Sequence, residues 1–306
     1  MNNSTVFVTA VNSPEDGKLT RVLIDSIRAF GGVLSQSPIW VFAGDSQNVP
    51  YTDVQVLPLR VPDMIRHYLF ADKVFACAQA EAMMDGQAQS LIWIDPTCLV
   101  VNPPVLFDLG PSYDAAVRPV HIKNVGLTIN EPLDLFWKTI YTAVGVADVH
   151  STVESFVDRQ HLRSYFNSHA FALNPSRGLC RDWLDQFQAL VCDQKFQATA
   201  CQDQRHRIFL FQAILSALIV TRLDAQRIHI LPTTYNYPYN LHSSVPAEHR
   251  AKSLDDLVCL TYETRTPDPD VMNDVEMSAS LRAWLSVHAR IQEAESEPGV
   301  LLAFDD

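Results

Sequence analysis

Alternating strand and helix patterns in the first sixty residues constrain this chain more than any other feature. Residues 5–11 are a β-branched apolar run with no polar face, which predicts a strand buried on both sides. Ser13-Pro14-Glu15-Asp16-Gly17 is turn and helix-entry chemistry. Leu19, Val22, Leu23, Ile27 and Phe30 then recur at helical spacing and stop at Gly31-Gly32, where glycine suits a left-handed cap. Residues 39–43 and 54–57 predict two more strands, ended by Gly44-Asp45 and Pro58. Strands apolar on both faces, joined through a helix, call for an α/β fold with a parallel sheet covered by helices.

The pattern continues along the chain. Residues 68–84 predict a helix, and Leu91-Ile92-Trp93-Ile94 a strand running straight into Asp95-Pro96-Thr97. A strand at 114–117 leads to Arg118, His121 and Lys123, and a helix at 132–144 carries Leu133, Phe136, Trp137, Ile140, Tyr141 and Val144 on one stripe. Residues 165–173 read as a strand interrupted by Asn167-Ser168-His169. Helices at 179–191 and 208–221 follow, then strands at 227–231 and 257–262 and an amphipathic helix at 278–294. The 266–270 stretch is the best hinge, separating a 1–265 domain from a 266–306 tail whose acidic end, Asp305 and Asp306, is expected to fray. The tail helix suits either closing the core or a dimer seam.

Composition excludes several classes. Thirty-five acidic residues against 23 basic ones give −12, a field that repels nucleic acid and anionic membrane. The longest apolar stretch, 208–220, carries Gln212 and Ser216 and is too short to span a bilayer. The start has no basic n-region, so no signal peptide is expected. Six cysteines without a C-x-x-C pair fit neither a zinc ribbon nor a disulfide framework. A soluble, reducing, cytoplasmic setting is the expectation. Only ten glycines occur, and no dinucleotide fingerprint, P-loop or nucleophile elbow can be composed from their positions.

In an open parallel sheet, ligands bind beyond the carboxyl ends of the strands. That rule selects Thr9, Ala10 and Asn12, Gly44-Asp45, Asp95 to Thr97, and Arg118 to Lys123. A carboxylate directly after a fully apolar strand, as at Asp95, suits either a hard cation holding a diphosphate or a turn cap. Arg118, His121 and Lys123 form a basic group in an acidic chain, either to neutralise a leaving diphosphate or as a solvated loop. Lys73 reaches from the preceding helix. Arg205, His206 and Arg207 read best as an ordinary charged helix start, because positive charge there opposes the dipole. Tyr235, Tyr237 and Tyr239, ahead of His242, suit either stacking on a sugar or packing on the domain.

Phe70-x-x-Lys73, then Leu91-Ile92-Trp93-Ile94-Asp95-x-Thr97, then Val100-x-Asn102-Pro103, resembles the K…(V/I)(W/L)(L/I)D-x-D…P run of GT-A glycosyltransferases, with a likeness to the retaining family-8 type. Residues 6–10 resemble the first strand of that family, which contacts the nucleobase. Tyr165-Phe166-Asn167-Ser168-His169-Ala170-Phe171 resembles its "yfNaGvf" strand near the donor sugar, with His169 in place of a small glycine. Leu231-Pro232-x-x-Tyr235-Asn236 resembles "LPxxyN". The likeness covers about the first 240 residues.

The resemblance implies a mixed, mostly parallel central sheet flanked by helices, and hexose transfer from a nucleotide sugar. Asp95 would stand at the diphosphate. Thr9, Ala10, Asn12, Lys73, Thr97, Arg118, His121, Lys123, Asn167, Ser168 and His169 would surround the donor, and Asp95 and Gln212, the latter from the later helix, would be the catalytic residues. The departures concern metal. Thr97 replaces the second aspartate, Phe211 stands where "DQ" has its aspartate, and Cys259-Leu260-Thr261-Tyr262 lacks the usual histidine. Mn²⁺ or Mg²⁺ at Asp95 would need ligands from substrate and water, so weak or absent metal dependence is implied. The acceptor is not legible. An inactive fold of this type, binding a glycan or a protein, is the alternative. A sugar-nucleotide pyrophosphorylase is disfavoured because residues 10–14 lack its Gly-rich loop.

Overall fold

A computed structural model describes residues 4–44, 53–84, 88–263, 268–270 and 272–294, the last six of these by backbone alone. Asp45, Thr266, Pro267 and the acidic end at Asp305 and Asp306 lie outside the described residues. In chain order the elements begin β1 (Thr5–Val11), α1 (Pro14–Phe30), β2 (Ile39–Ala43), β3 (Gln55–Pro58), α2 (Asp63–Arg66), α3 (Ala71–Met84) and β4 (Ser90–Ile94). The middle holds β5 (Cys98–Val100), β6 (Ala115–Val117), α4 (Leu135–Ala143), β7 (Thr152–Glu154), β8 (His161–Arg163) and β9 (Ala170–Leu173). The remainder comprises α5 (Leu179–Cys192), α6 (Gln194–Thr199), α7 (Gln204–Arg222), β10 (Ile228–Ile230), β11 (Tyr237–Pro238), β12 (Cys259–Thr261) and α8 (Ala279–Ala294).

Seven strands form the central sheet in the order β3-β2-β1-β4-β9-β6-β10. Every neighbouring pair is parallel except those of β9, which runs against both β4 and β6. The fold is therefore α/β with a mixed, mostly parallel sheet flanked by helices. A second sheet, β11-β12-β5, and the β7-β8 ribbon complete it.

The apolar runs explain the layering. Along β1, Val6, Val8 and Ala10 point into one core with α3, α5 and α7, while Phe7 and Val11 point into another with α1. A strand with two buried faces has no room for a polar side, as its sequence shows. α1 enters through a reciprocal cap between Ser13 and Asp16, with Pro14 in the first turn, and buries Val22, Leu23, Ile24 and Ile27. At its end Gly31 stays right-handed (φ −68°), and the left-handed residue is Gly32 (φ +56°).

Several predicted elements differ: the helix expected at 208–221 already starts at Gln204, and the strands expected at 227–231 and 257–262 shorten to Ile228–Ile230 and Cys259–Thr261. The helix at 68–84 starts only at Ala71, because Phe70 takes φ +62° and breaks the run; a phenylalanine there is uncommon. The strand at 165–173 shrinks to Ala170–Leu173. Asn167 withdraws its neighbours from the ladder, since its Oδ1 accepts from the His169 amide at 2.8 Å. The helix at 132–144 begins at Leu135, where Asp134 caps Trp137 N at 2.8 Å.

The tail helix answers its own question. Leu281 and Leu285 of α8 are buried with Met272 and Val275, and Trp284 meets the edge of Phe30 at 5.2 Å between centroids, so α8 closes this chain's own core. Among the described residues no helix is long and apolar enough to cross a membrane.

Candidate functional site

The C-terminal ends of β1 and β4 open onto a cavity of about 420 Å³. Ala10 ends its floor on the β1 side, and Trp93, Asp95, Pro96 and Thr97 continue it from β4. Phe70, Asp72 and Lys73 enter from the start of α3, and Ser168 and His169 from the turn before β9. Ile208, Phe209, Phe211 and Gln212 come from α7, and Glu263 follows β12. Segments far apart in sequence thus converge where the sheet topology predicts a ligand.

Lys73 is the centre of this arrangement. Its Nζ lies 2.9 Å from each carboxylate oxygen of Asp95 and donates to the Ser168 carbonyl at 3.0 Å. Three aromatic faces surround it, with the Phe211, Phe70 and Trp93 centroids at 5.0, 5.2 and 5.4 Å. Trp93 Nε1 donates to Asp95 Oδ1 at 2.7 Å, and the Asp95 amide donates to the His169 carbonyl at 2.8 Å. The Cys98 amide donates to the Asp95 carbonyl at 3.0 Å, a backbone turn rather than a side-chain cap. Asp95 is therefore the anionic half of a buried ion pair.

A second group adjoins it. Asn167 Oδ1 accepts from His169 N, His169 Nδ1 and Asn236 Nδ2 at 2.8, 3.0 and 2.5 Å, which identifies that atom as the amide oxygen. His169 Nε2 faces Glu263 Oε1 at 2.9 Å, and this hydrogen bond, against the opposing effect of burial, holds the Glu263 carboxyl below its usual range. Asn240 Nδ2 donates to the other Glu263 oxygen at 2.8 Å. Ser168 Oγ donates to Gln212 Oε1 at 2.8 Å, so that hydroxyl has no base beside it. At the rim, burial raises the Asp72 carboxyl, which accepts from Asn12 Nδ2 at 2.6 Å.

Of the residues singled out in the sequence, Ala10, Lys73, Asp95, Thr97, Ser168, His169 and Gln212 line the cavity together. Asn167 supports His169 from behind, and Asn12 holds the rim at Asp72. Thr9 alternates with Ala10 along β1 and so faces away, toward α1. Arg118 and His121 are buried beyond His169, whose ring stacks on His121 with centroids 6.0 Å apart. Burial, with His169 and Arg118 nearby, pushes His121 well below the usual imidazole range, so it is neutral at pH 7. Lys123 does not join them. Glu131 takes its ammonium at 2.7 Å, making the 118–123 group two buried side chains and one surface ion pair. Tyr235, Tyr237 and Tyr239 are all buried, which decides for packing over sugar stacking.

The sequence reading missed Glu263, Asp72 and the cavity-facing role of Phe70. Glu263 follows Tyr262 just after the last strand, the same strand-end position that singled out Asp95. The donors do not fit a resident divalent cation. Lys73 and Trp93 occupy both Asp95 oxygens, His169 and Asn240 occupy those of Glu263, and among the described residues no three ligating side chains converge. What remains is a largely apolar cavity with hydrogen-bonding groups at its edges, suited to binding and orienting a ligand.

Neither the protein-family models nor the curated proteins include a match to this chain.

Proposed function

We propose that the chain is a GT-A-like glycosyltransferase that binds a nucleotide sugar beside Asp95 and transfers its hexose without a divalent cation. The observation that carries this reading is convergence. The motifs around Lys73, Asp95 and Ser168-His169, spaced through the sequence in the family-like order, meet with Gln212 on one cavity. The mixed sheet with its single reversed strand is compatible with that architecture. Lys73 holds Asp95 in place at the cavity wall, and the hydroxyl of Thr97 and amide of Gln212 supply neutral polar groups. With no dedicated base, the reaction would rest on placing charge and dipoles against the departing diphosphate.

A second reading has its own support. Asp95 neutralises Lys73, and Thr97, Phe211 and Thr261 stand where metal ligands are expected, as in a fold that keeps a binding cavity and has lost catalysis. Calorimetric titration with nucleoside diphosphates and nucleotide sugars, in EDTA and then in Mn²⁺, separates the readings when followed by an assay for sugar release. Binding in EDTA with release supports the transferase. Binding without release supports the binding module. A flat titration with every nucleotide rejects a nucleotide-sugar site.

A further inference from the structure

We propose that Arg118 is the centre of a second anion site, separate from the Asp95 cavity, which takes the carboxylate or phosphate group of a small ligand. Three cationic side chains are buried among the described residues: Lys73, Arg163 and Arg118. Lys73 is paired with Asp95, and Arg163 with Asp148 at 2.9 Å. Arg118 has no such partner. It is 2% exposed, its Nε is sealed from solvent without an acceptor, and its guanidinium carbon lies 4.8 Å from the Phe156 ring centroid. A cation–π contact softens the burial of a guanidinium but does not neutralise it.

Its neighbours supply no negative charge. His121 is neutral, and its Nε2 is engaged with the Asn236 carbonyl at 2.9 Å. Burial pushes the Cys259 thiol up to about 12, so no thiolate forms beside the guanidinium, and burial lowers Arg118 itself to about 10. Two more orphaned polar atoms border the same cysteine. Asn236 donates its amide to Cys259 Sγ at 3.1 Å while its own Oδ1 is unpartnered, at φ +50°. Thr261 follows two residues along β12, hence on the same strand face, and its buried hydroxyl is unpartnered too. Sealed, unmatched polar groups are rare in folded proteins, and an oxyanion would satisfy the guanidinium.

The test is thermal unfolding of the full chain in sodium phosphate, sodium acetate, sodium glucuronate and sodium chloride at equal ionic strength. Phosphate or a carboxylate should raise the wild-type melting temperature by about 2–4 °C over chloride, and which of them does so identifies the source. Arg118→Met should melt higher than wild type in chloride, because it removes an unmatched buried charge, and should lose the anion response. Arg118→Lys should keep part of the response. The double variant Lys73→Met/Asp95→Leu, which leaves no unmatched charge in the Asp95 cavity, should keep all of it, so failure here and failure of the nucleotide reading are distinguishable. The proposal is overturned if Arg118→Met is less stable than wild type in chloride, if wild type ignores every anion, or if Arg118→Met responds as wild type does.

Discussion

Lys73 Nζ stands 2.9 Å from both carboxylate oxygens of Asp95, with the two side chains almost entirely withdrawn from solvent. The pair joins the start of α3 to the end of β4 and fixes the wall of the cavity. It also decides the local charge: a carboxylate that would otherwise attract a metal ion is already matched by an ammonium inside the fold.

Removing one partner should therefore cost more than removing both. Lys73→Met or Asp95→Leu alone leaves an unmatched buried charge and should destabilise by about 3–5 kcal/mol. The double variant should lose clearly less than the sum, measured as free energies from urea unfolding. Strict additivity would mean that the pair is not coupled in solution.

At the amino end of β6, the opposite end of the sheet from Asp95, Asp114 gives a pH prediction. Burial pulls its carboxyl up, but hydrogen bonds from Arg227, Arg177 and Asn174 outweigh this and hold it at about 2, below the ordinary 3.8. A depressed folded-state value contributes stability that is complete above 3.8 and lost as pH falls toward 2. The stability gap between wild type and Asp114→Asn, read from urea midpoints, should be constant above that window and shrink within it. A gap that widens on acidification would contradict the sign.

Much of this was legible in the sequence for physical reasons. β1 and β2 have the predicted bounds because both faces are buried, so apart from Thr5 and Thr9 every position is apolar. Asp95 could be singled out because a charge directly after a fully apolar strand stands out, and Lys73 because it completes the Phe70-x-x-Lys73 likeness. Their mutual pairing could not, since contact between α3 and β4 depends on helix rotation. β7 and β8 have a single apolar residue each, so no apolar run marks them, and the reversal of β9 is set by its pairing with β4 and β6. Phe70 escaped because a left-handed phenylalanine has no local signature.

Gly32 tests the cap at the end of α1. A Cβ there would lie 2.7 Å from Pro103 Cγ, on a left-handed backbone. Gly110 has a similar φ of +51° with nothing within 4 Å, so Gly110→Ala isolates the backbone cost. Gly110→Ala should cost about 1 kcal/mol and Gly32→Ala about 2–3 kcal/mol, by chemical denaturation. Equal losses would show that Pro103 yields without strain.

Trp93 links stability to ligand in one residue. It lies on the cavity wall, and its Nε1 donates to Asp95 at 2.7 Å. Trp93→Phe keeps an aromatic face for Lys73 but deletes that donor, so stability should fall by about 1–3 kcal/mol. Lys73 still satisfies the carboxylate, so the fold should survive the change. A nucleoside diphosphate entering the cavity contacts the indole directly and should alter its emission. Titration monitored by tryptophan fluorescence should therefore give a saturable change in wild type that disappears in Trp93→Phe, while calorimetry still detects binding to the variant. If the fluorescence change persists in Trp93→Phe, another tryptophan reports it and direct contact of the nucleotide with the Trp93 indole is contradicted.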